Sequence, residues 1–184
     1  MSKGALTPPV GAQDHVQGPA DAPVTLVEYG DFECPHCGRA HAVVQELRRQ
    51  LGNELRFVFR SFPLKEAHPH AEHAAEAAES VATHGGDGAF WEMHDLLYEN
   101  QESLDDEALR AYAVSIGVDE GLVASDLASG AMATRVHQDF RSGIRSGVNG
   151  TPTFFVNGQR YDGDWNDVQT FAAHLHARAR SACR

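Results

Sequence analysis

At 184 residues and 20.0 kDa the chain fits one domain, or one domain carrying an insertion. Its 42% hydrophobic content supports a packed core and excludes global disorder. Fifteen basic residues against 26 acidic ones leave a net charge of −11, which argues against nucleic acid and anionic membrane surfaces as partners.

No apolar run reaches the ~18–20 residues needed to cross a bilayer, so no membrane insertion is expected. Residues 1–10 carry one lysine and no apolar stretch, unlike a secretory signal. As the sequence stands a cytoplasmic location is expected, with the periplasm or cell envelope as the alternative if a leader has been trimmed. Residues 1–22, rich in Gly, Pro and Ala, read as a loosely packed tail, and regular structure is expected from Pro23. Val24-Thr25-Leu26-Val27-Glu28-Tyr29 has the short, mostly apolar character of a strand buried on both faces.

Gly30-Asp31-Phe32-Glu33 reads as a turn, followed by a helix that starts at Cys34 with Pro35 in its favoured first-turn place. Ala40, Val43, Val44, Leu47 and Leu51 give that helix a core face, and Gly52-Asn53 stops it. Leu55-Arg56-Phe57-Val58-Phe59-Arg60 alternates as a second strand. This β-α-β unit of roughly thirty-five residues implies parallel pairing, with the cysteines at the carboxyl end of a strand, where α/β active sites collect.

From about His68 to Gly147 the pattern is helical throughout, and five helices form a block inserted into a sheet at about 66–147. Ala71–Ala82 is alanine-rich, 90–98 is amphipathic, and Ser103 is the expected cap of the next helix, with Asp106 three residues on. Asp119 and Gly130 bracket a short helix, and another reaches Ile144. The sheet resumes at Thr153-Phe154-Phe155-Val156, turns at Asn157-Gly158 and continues through Gln159-Arg160-Tyr161. A last helix is expected from Asp164, as cap, to Ala179.

Three cysteines, Cys34, Cys37 and Cys183, are too few for a disulfide scaffold or a four-ligand zinc site. One Cys-x-x-Cys after a strand is the redox pattern. The thiolate performs disulfide exchange, and a helix N-terminus favours it through unpaired N–H groups and the positive end of the macrodipole. Cys34 is therefore the expected nucleophile and Cys37, one turn inside, the resolving thiol. His36 adds a donor or a positive charge. Two buried cysteines that happen to be close is the plainer alternative.

Glu28, six residues ahead of Cys34, is either a buried acid that exchanges a proton with Cys37 or a strand-end residue reaching solvent. Pro152, just before a strand, fits any turn; a cis Thr151–Pro152 bond beside the sulfurs would let the Thr151 backbone pair with an extended client. His68, His70 and His73 look like a metal cluster but lack a fourth ligand, and an exposed helix start explains them, so no metal is expected. His94 reads as core or rim, and Cys183 as a loose free thiol.

Cys34-Pro35-His36-Cys37, Glu28 and Thr151-Pro152 together resemble the DsbA family of thioredoxin-fold proteins. The resemblance runs from about His15 to the end and includes the helical insertion. Asp14-His15-Val16-Gln17-Gly18-Pro19, the stretch from Pro23 to Phe32, His68-Pro69 and Phe90-Trp91 look most like its signal-less bacterial branch. It implies a thioredoxin-like α/β sheet with a helical insertion over 23–184, a buried acid at Glu28 and a cis-proline loop at Thr151-Pro152. It also implies thiol–disulfide exchange with protein or small thiol clients, a recycling redox partner, and no cofactor beyond a Cys34–Cys37 disulfide.

The shared Pro35-His36 dipeptide implies an oxidising pair. A cytosolic glutathione poise of roughly −220 to −320 mV would oppose disulfide donation there, so net direction is left open. Thr151 stands where the best-known periplasmic member has valine, which leaves potential and partner choice open too. Other readings on the same scaffold are an isomerase, a glutathione-using transferase, or a thioredoxin-like binding module whose cysteines are incidental.

Overall fold

Val24–Gly30 forms a strand (β2) in which every side chain but that of Thr25 is buried, as its continuous apolar character requires. A helix over Pro35–Leu51 (α1) and a short 3-10 turn at Gly52–Glu54 carry the chain to Leu55–Ser61 (β3), the neighbour of β2 in the sheet. This is the crossover connection that parallel strands need. In this computed structural model residues 4–182 are described, and Cys183 lies outside them.

The remaining strands are His15–Gln17 (β1), Thr153–Val156 (β4) and Gln159–Tyr161 (β5), and the sheet order is β1-β3-β2-β4-β5. Five helices lie between β3 and β4: Ala71–Gly85 (α2), Asp87–Glu99 (α3), Asp106–Ile116 (α4), Glu120–Ser129 (α5) and Ala133–Arg145 (α6). Val168–Ala182 (α7) ends the chain. The chain divides into two compact units, one of Met1–Gly30, Arg39–Arg60 and Ser142–Arg184, the other of Asp31–Gly38 and Ser61–Arg141.

In the first unit, the sheet, β4 runs antiparallel to β2 with Leu26 opposite Val156, Glu28 opposite Phe154 and Tyr29 opposite Thr153. The β4–β5 turn has Asn157 at φ 48° and Gly158 at φ 79°, the two left-handed positions of the tight hairpin expected from Asn-Gly. Asn157 Oδ1 also accepts from Thr25 N at 2.7 Å, tying the turn to β2.

The expected loose tail is replaced by packed structure. β1 pairs antiparallel with β3, Val16 opposite Val58, and Leu6 is buried. Arg60, 2% exposed, donates from Nε to Asp14 Oδ1 at 2.7 Å and from Nη2 to Asp14 Oδ2 at 3.0 Å. It also donates to the Pro8 and Pro9 carbonyls and to Tyr29 Oη. Burial disfavours the guanidinium charge, but Asp14 and Tyr29 more than offset that and raise its pKa. Gly18, at φ 94°, closes on the Leu55 carbonyl so tightly that a Cβ would sit 2.3 Å from the oxygen.

The second unit is the helical block. Ala71, Ala74, Ala75, Ala77 and Ala78 are buried on α2, where small side chains allow close helix approach. Phe62 stacks on Phe140 with centroids 4.3 Å apart. Asp119 and Gly130 cap α5 as expected, Gly130 with φ 66°. The cap of α4 is Asp105, not Ser103: its carboxylate accepts from Glu107 N and Ala108 N. Likewise Asp167, not Asp164, caps α7, accepting from Gln169 N and Thr170 N. Asp164 instead closes a turn onto Asn166 N.

Within this block Asp139 is buried, accepting from Ser61 N and Arg135 Nη1. Burial pushes its pKa up to about 6, with Glu79 adding to the rise and Arg135 and Ser61 opposing it. A carboxyl whose folded pKa is raised binds more protons folded than unfolded, so its contribution to stability falls as pH rises from about 4 to about 6. Asp139→Asn is expected to remove that slope. Urea unfolding of variant and wild type should therefore differ by about 2 kcal/mol more at pH 7 than at pH 4, in the variant's favour. A pH-independent difference would contradict this assignment.

Candidate active site

The turn between β2 and α1 is organised by Asp31, whose side chain is fully buried. Its Oδ1 accepts from Glu33 N at 2.8 Å, and its Oδ2 accepts from Leu64 N and meets His68 Nδ1, both at 2.8 Å. The Asp31 carbonyl accepts from Cys34 N at 3.1 Å, and its N–H points at Cys37 Sγ at 3.5 Å. One acid thus fixes the approach to both cysteines. Gln101 Nε2, from the loop between α3 and α4, donates to the Phe32 and Cys34 carbonyls at 2.8 and 2.9 Å. A Cβ at Gly38 would meet Gln101 Oε1 at 2.2 Å, so a larger residue there would displace the Gln101 side chain.

α1 opens at Pro35, which makes Cys34 its N-cap residue, the position where a thiolate faces the unpaired N–H groups of the first turn. Cys34 is 4% exposed and Cys37 fully buried, so both are shielded and Cys34 is the more accessible, while Pro35 and His36 are exposed. Phe32 is held edge-on by His94, centroids 5.7 Å apart, and tilted against Tyr98 at 5.1 Å. His94 is 3% exposed, a core residue behind the turn, with its Nδ1 on Asp95 Oδ1 at 2.9 Å.

The three histidines that suggested a cluster go to separate partners. His68 bonds Asp31, His70 offers its backbone N–H to Glu33 Oε2, and the His73 ring meets Asp106 Oδ1. His68 is therefore part of the active-site turn rather than an exposed helix start. Its pKa is pulled down by burial but raised overall, by the Asp31 bond and the charges of Asp31, Cys34 and Glu33.

Glu28, Thr151 and Pro152 belong to the sheet unit. Glu28 is 1% exposed within β2, so it is a buried acid and not a strand-end residue reaching solvent. The Thr151–Pro152 peptide is cis and directly precedes β4. Thr153 Oγ1 donates back to the Gly150 carbonyl at 2.7 Å and tightens that loop. Within the sheet, Tyr29 near the end of β2 lies opposite Thr153, the first residue of β4 after this loop.

The turn residues that sequence reading left without a role are Asp31, His68 and Gln101. For Asp31 a signal existed, an Asp two residues before a backbone N–H in a tight turn. Gln101 carried none.

Residues 11–174 match the family model described as Thioredoxin. The chain belongs to the thioredoxin family. Among solved structures, this thioredoxin-family chain is similar to oxidised BdbD from Bacillus subtilis, with TM-score 0.84, 22% identity and 97% of each chain covered. It is similar to alpha-DsbA1 from Wolbachia pipientis, with TM-score 0.81, 18% identity, and 97% and 96% covered. A thioredoxin-like oxidoreductase from Silicibacter pomeroyi matches with TM-score 0.73, 26% identity, and 93% and 94% covered. The expected DsbA-like fold, a thioredoxin sheet interrupted by helices, is therefore present.

In sequence, the thioredoxin-family chain is 46% identical over 172 residues to a protein named Na(+)/H(+) antiporter NhaA 1 from Salinispora arenicola, covering 94% of this chain and 26% of that one. A Na(+)/H(+) antiporter NhaA from Herminiimonas arsenicoxydans is 42% identical over 176 residues, covering 95% and 27%. The chain thus spans about a quarter of the length of these curated relatives. Among its described residues no helix is long and apolar enough to cross a membrane.

Proposed function

We propose that the chain is a thiol–disulfide oxidoreductase that exchanges disulfides with protein clients through Cys34 and Cys37. The observation that carries this reading is the pair's placement: a shielded but reachable cysteine as the N-cap of α1 and a fully buried one in its first turn. In the oxidising direction a client thiolate attacks Cys34 Sγ, the Cys34–Cys37 bond breaks, and Cys37 leaves and takes up a proton. A second client thiolate then attacks the client sulfur of the mixed disulfide and releases Cys34 as thiolate. The reverse sequence reduces a client. His36 contributes a donor or positive charge at the helix start, and Pro35 supplies the helical φ.

In the same reading the Thr151 backbone docks an extended client by main-chain hydrogen bonds, which read no side chain, and Pro152 removes one donor beside it. The electrons pass between thiols only, so the reaction calls on no organic cofactor or metal, and a separate redox partner resets the pair. Glu28 exchanges a proton in the Cys37 step. Glu28→Gln is then expected to slow exchange about tenfold with little change in unfolding free energy; equal rates across the pH range would leave it a structural residue.

Insulin reduction and refolding of a reduced disulfide protein, with wild type and Cys34→Ser, test the reading. Activity lost with Cys34 supports exchange; activity unchanged would leave a binding module.

The likeness to a quarter of proteins named antiporters favours a second reading of the client, in which the same chemistry acts on cysteines of a membrane transporter. Trapping on membrane extracts with Cys37→Ser tests it. A transporter in mixed disulfide supports it, and capture of soluble proteins alone refutes it.

A further inference from the structure

The exchange reaction leaves one proton to be placed. A client dithiol and the Cys34–Cys37 disulfide give a client disulfide, a Cys37 thiol, a Cys34 thiolate and one proton. The turn that carries Cys34 also holds a buried acid, Asp31, whose negative charge opposes formation of a thiolate nearby. Asp31 cannot move away, because it accepts from Glu33 N and Leu64 N. Its third partner is the His68 ring at 2.8 Å, the partner that meets the carboxylate through a titratable side chain, which is 20% exposed.

We infer that His68 is the charge partner of the active-site thiolate: its ring takes up a proton as Cys34 is released, neutralises Asp31 and favours the reduced pair. This rests on the exchange reading and adds a residue outside the Cys-x-x-Cys to it. The charged groups acting on His68 are Asp31, Cys34 and Glu33, all from the turn ahead of α1. Its own segment carries Lys65, paired at 3.8 Å with Glu72 on α2, together with Glu66 and His70. The direction of the shift agrees, since the negative charges of that turn outweigh burial and favour the imidazolium.

Linkage makes the effect reciprocal: whatever the thiolate does to the His68 titration, the imidazolium does to the Cys34 titration. NMR titration of the His68 ring in the full wild-type chain, reduced and disulfide-bonded, therefore needs no variant. Its midpoint is expected to fall by about half a pH unit on oxidation. In His68→Gln, iodoacetamide labelling of Cys34 should show its midpoint raised by a similar amount, a roughly threefold loss of thiolate at acid pH. His70→Gln, on the same segment, should show neither change.

An identical His68 midpoint in both redox states of the wild type would overturn the inference while leaving exchange intact. If the wild type forms no Cys34–Cys37 disulfide, the exchange reading falls and this inference with it. Should His68→Gln fail to fold, the wild-type titration alone decides.

Discussion

Cys34→Ser is expected to abolish exchange, and Cys37→Ser to convert the chain into a trap that accumulates mixed disulfides. The two outcomes differ because the cysteines differ in place. Cys34 caps α1, where the first-turn N–H groups favour its ionised form, and it is the more accessible of the two. Cys37 is fully buried and meets the Asp31 N–H, so a client reaches it only by way of Cys34. A serine hydroxyl does not ionise near neutral pH, so the loss in Cys34→Ser should exceed roughly a thousandfold. Non-reducing gels and intact mass after incubation with a client carrying a disulfide should show a covalent adduct for Cys37→Ser, reversible by dithiothreitol. Adducts on Cys37 in Cys34→Ser would reverse the assigned roles. Cys183 supplies the control, since Cys183→Ser should leave both behaviours unchanged.

Asp14→Ala should cost about 3 kcal/mol or more of folding stability, a large effect for one residue near the chain start. The Arg60 guanidinium is buried and loses two charge-assisted bonds at once, and removing one partner of a buried ion pair leaves an uncompensated charge. Asp14 Oδ2 also accepts from Gly11 N at 2.8 Å, so the turn into β1 loosens with it. Urea unfolding should show a lower midpoint at unchanged slope. A loss below about 0.5 kcal/mol would mean that the segment is the loose tail its composition suggested.

That segment shows where the sequence stops being legible. β1 is three residues with one apolar side chain, too short for period-two alternation to register, and the Asp14 just ahead of it meets Arg60 across 46 positions. β2, by contrast, declares itself through a run of buried apolar residues, and the Asn157-Gly158 turn through local backbone chemistry. The helix caps sit between these cases. Ser103 and Asp105 are both capping residues, and the choice falls to Asp105 because its backbone is extended at φ −71°, ψ 164°, a detail of the incoming loop.

The candidate site divides in the same way. Cys34, Pro35, His36 and Cys37 are contiguous, and their spacing after a strand announces the chemistry. Asp31 lies three residues ahead, but its partners Leu64 and His68 come from beyond β3, and Gln101 from beyond α3. No periodicity encodes such contacts. His68 was visible as one of three neighbouring histidines and in the His68-Pro69 pair of the resemblance, without a role, and its bond to Asp31 is what separates it from His70 and His73.

In the proposed function Cys34 and Cys37 form a reversible two-electron couple that trades with thiols. Its most direct test is the fraction of that disulfide, measured by alkylation and mass spectrometry, across a series of reduced-to-oxidised glutathione ratios. One cooperative transition is expected, with the intramolecular disulfide replaced by two free thiols, and a midpoint more oxidising than the glutathione pool because the helix start favours the reduced thiolate. Cysteines that remain reduced at every ratio, or that oxidise only to separate glutathione adducts, would contradict it.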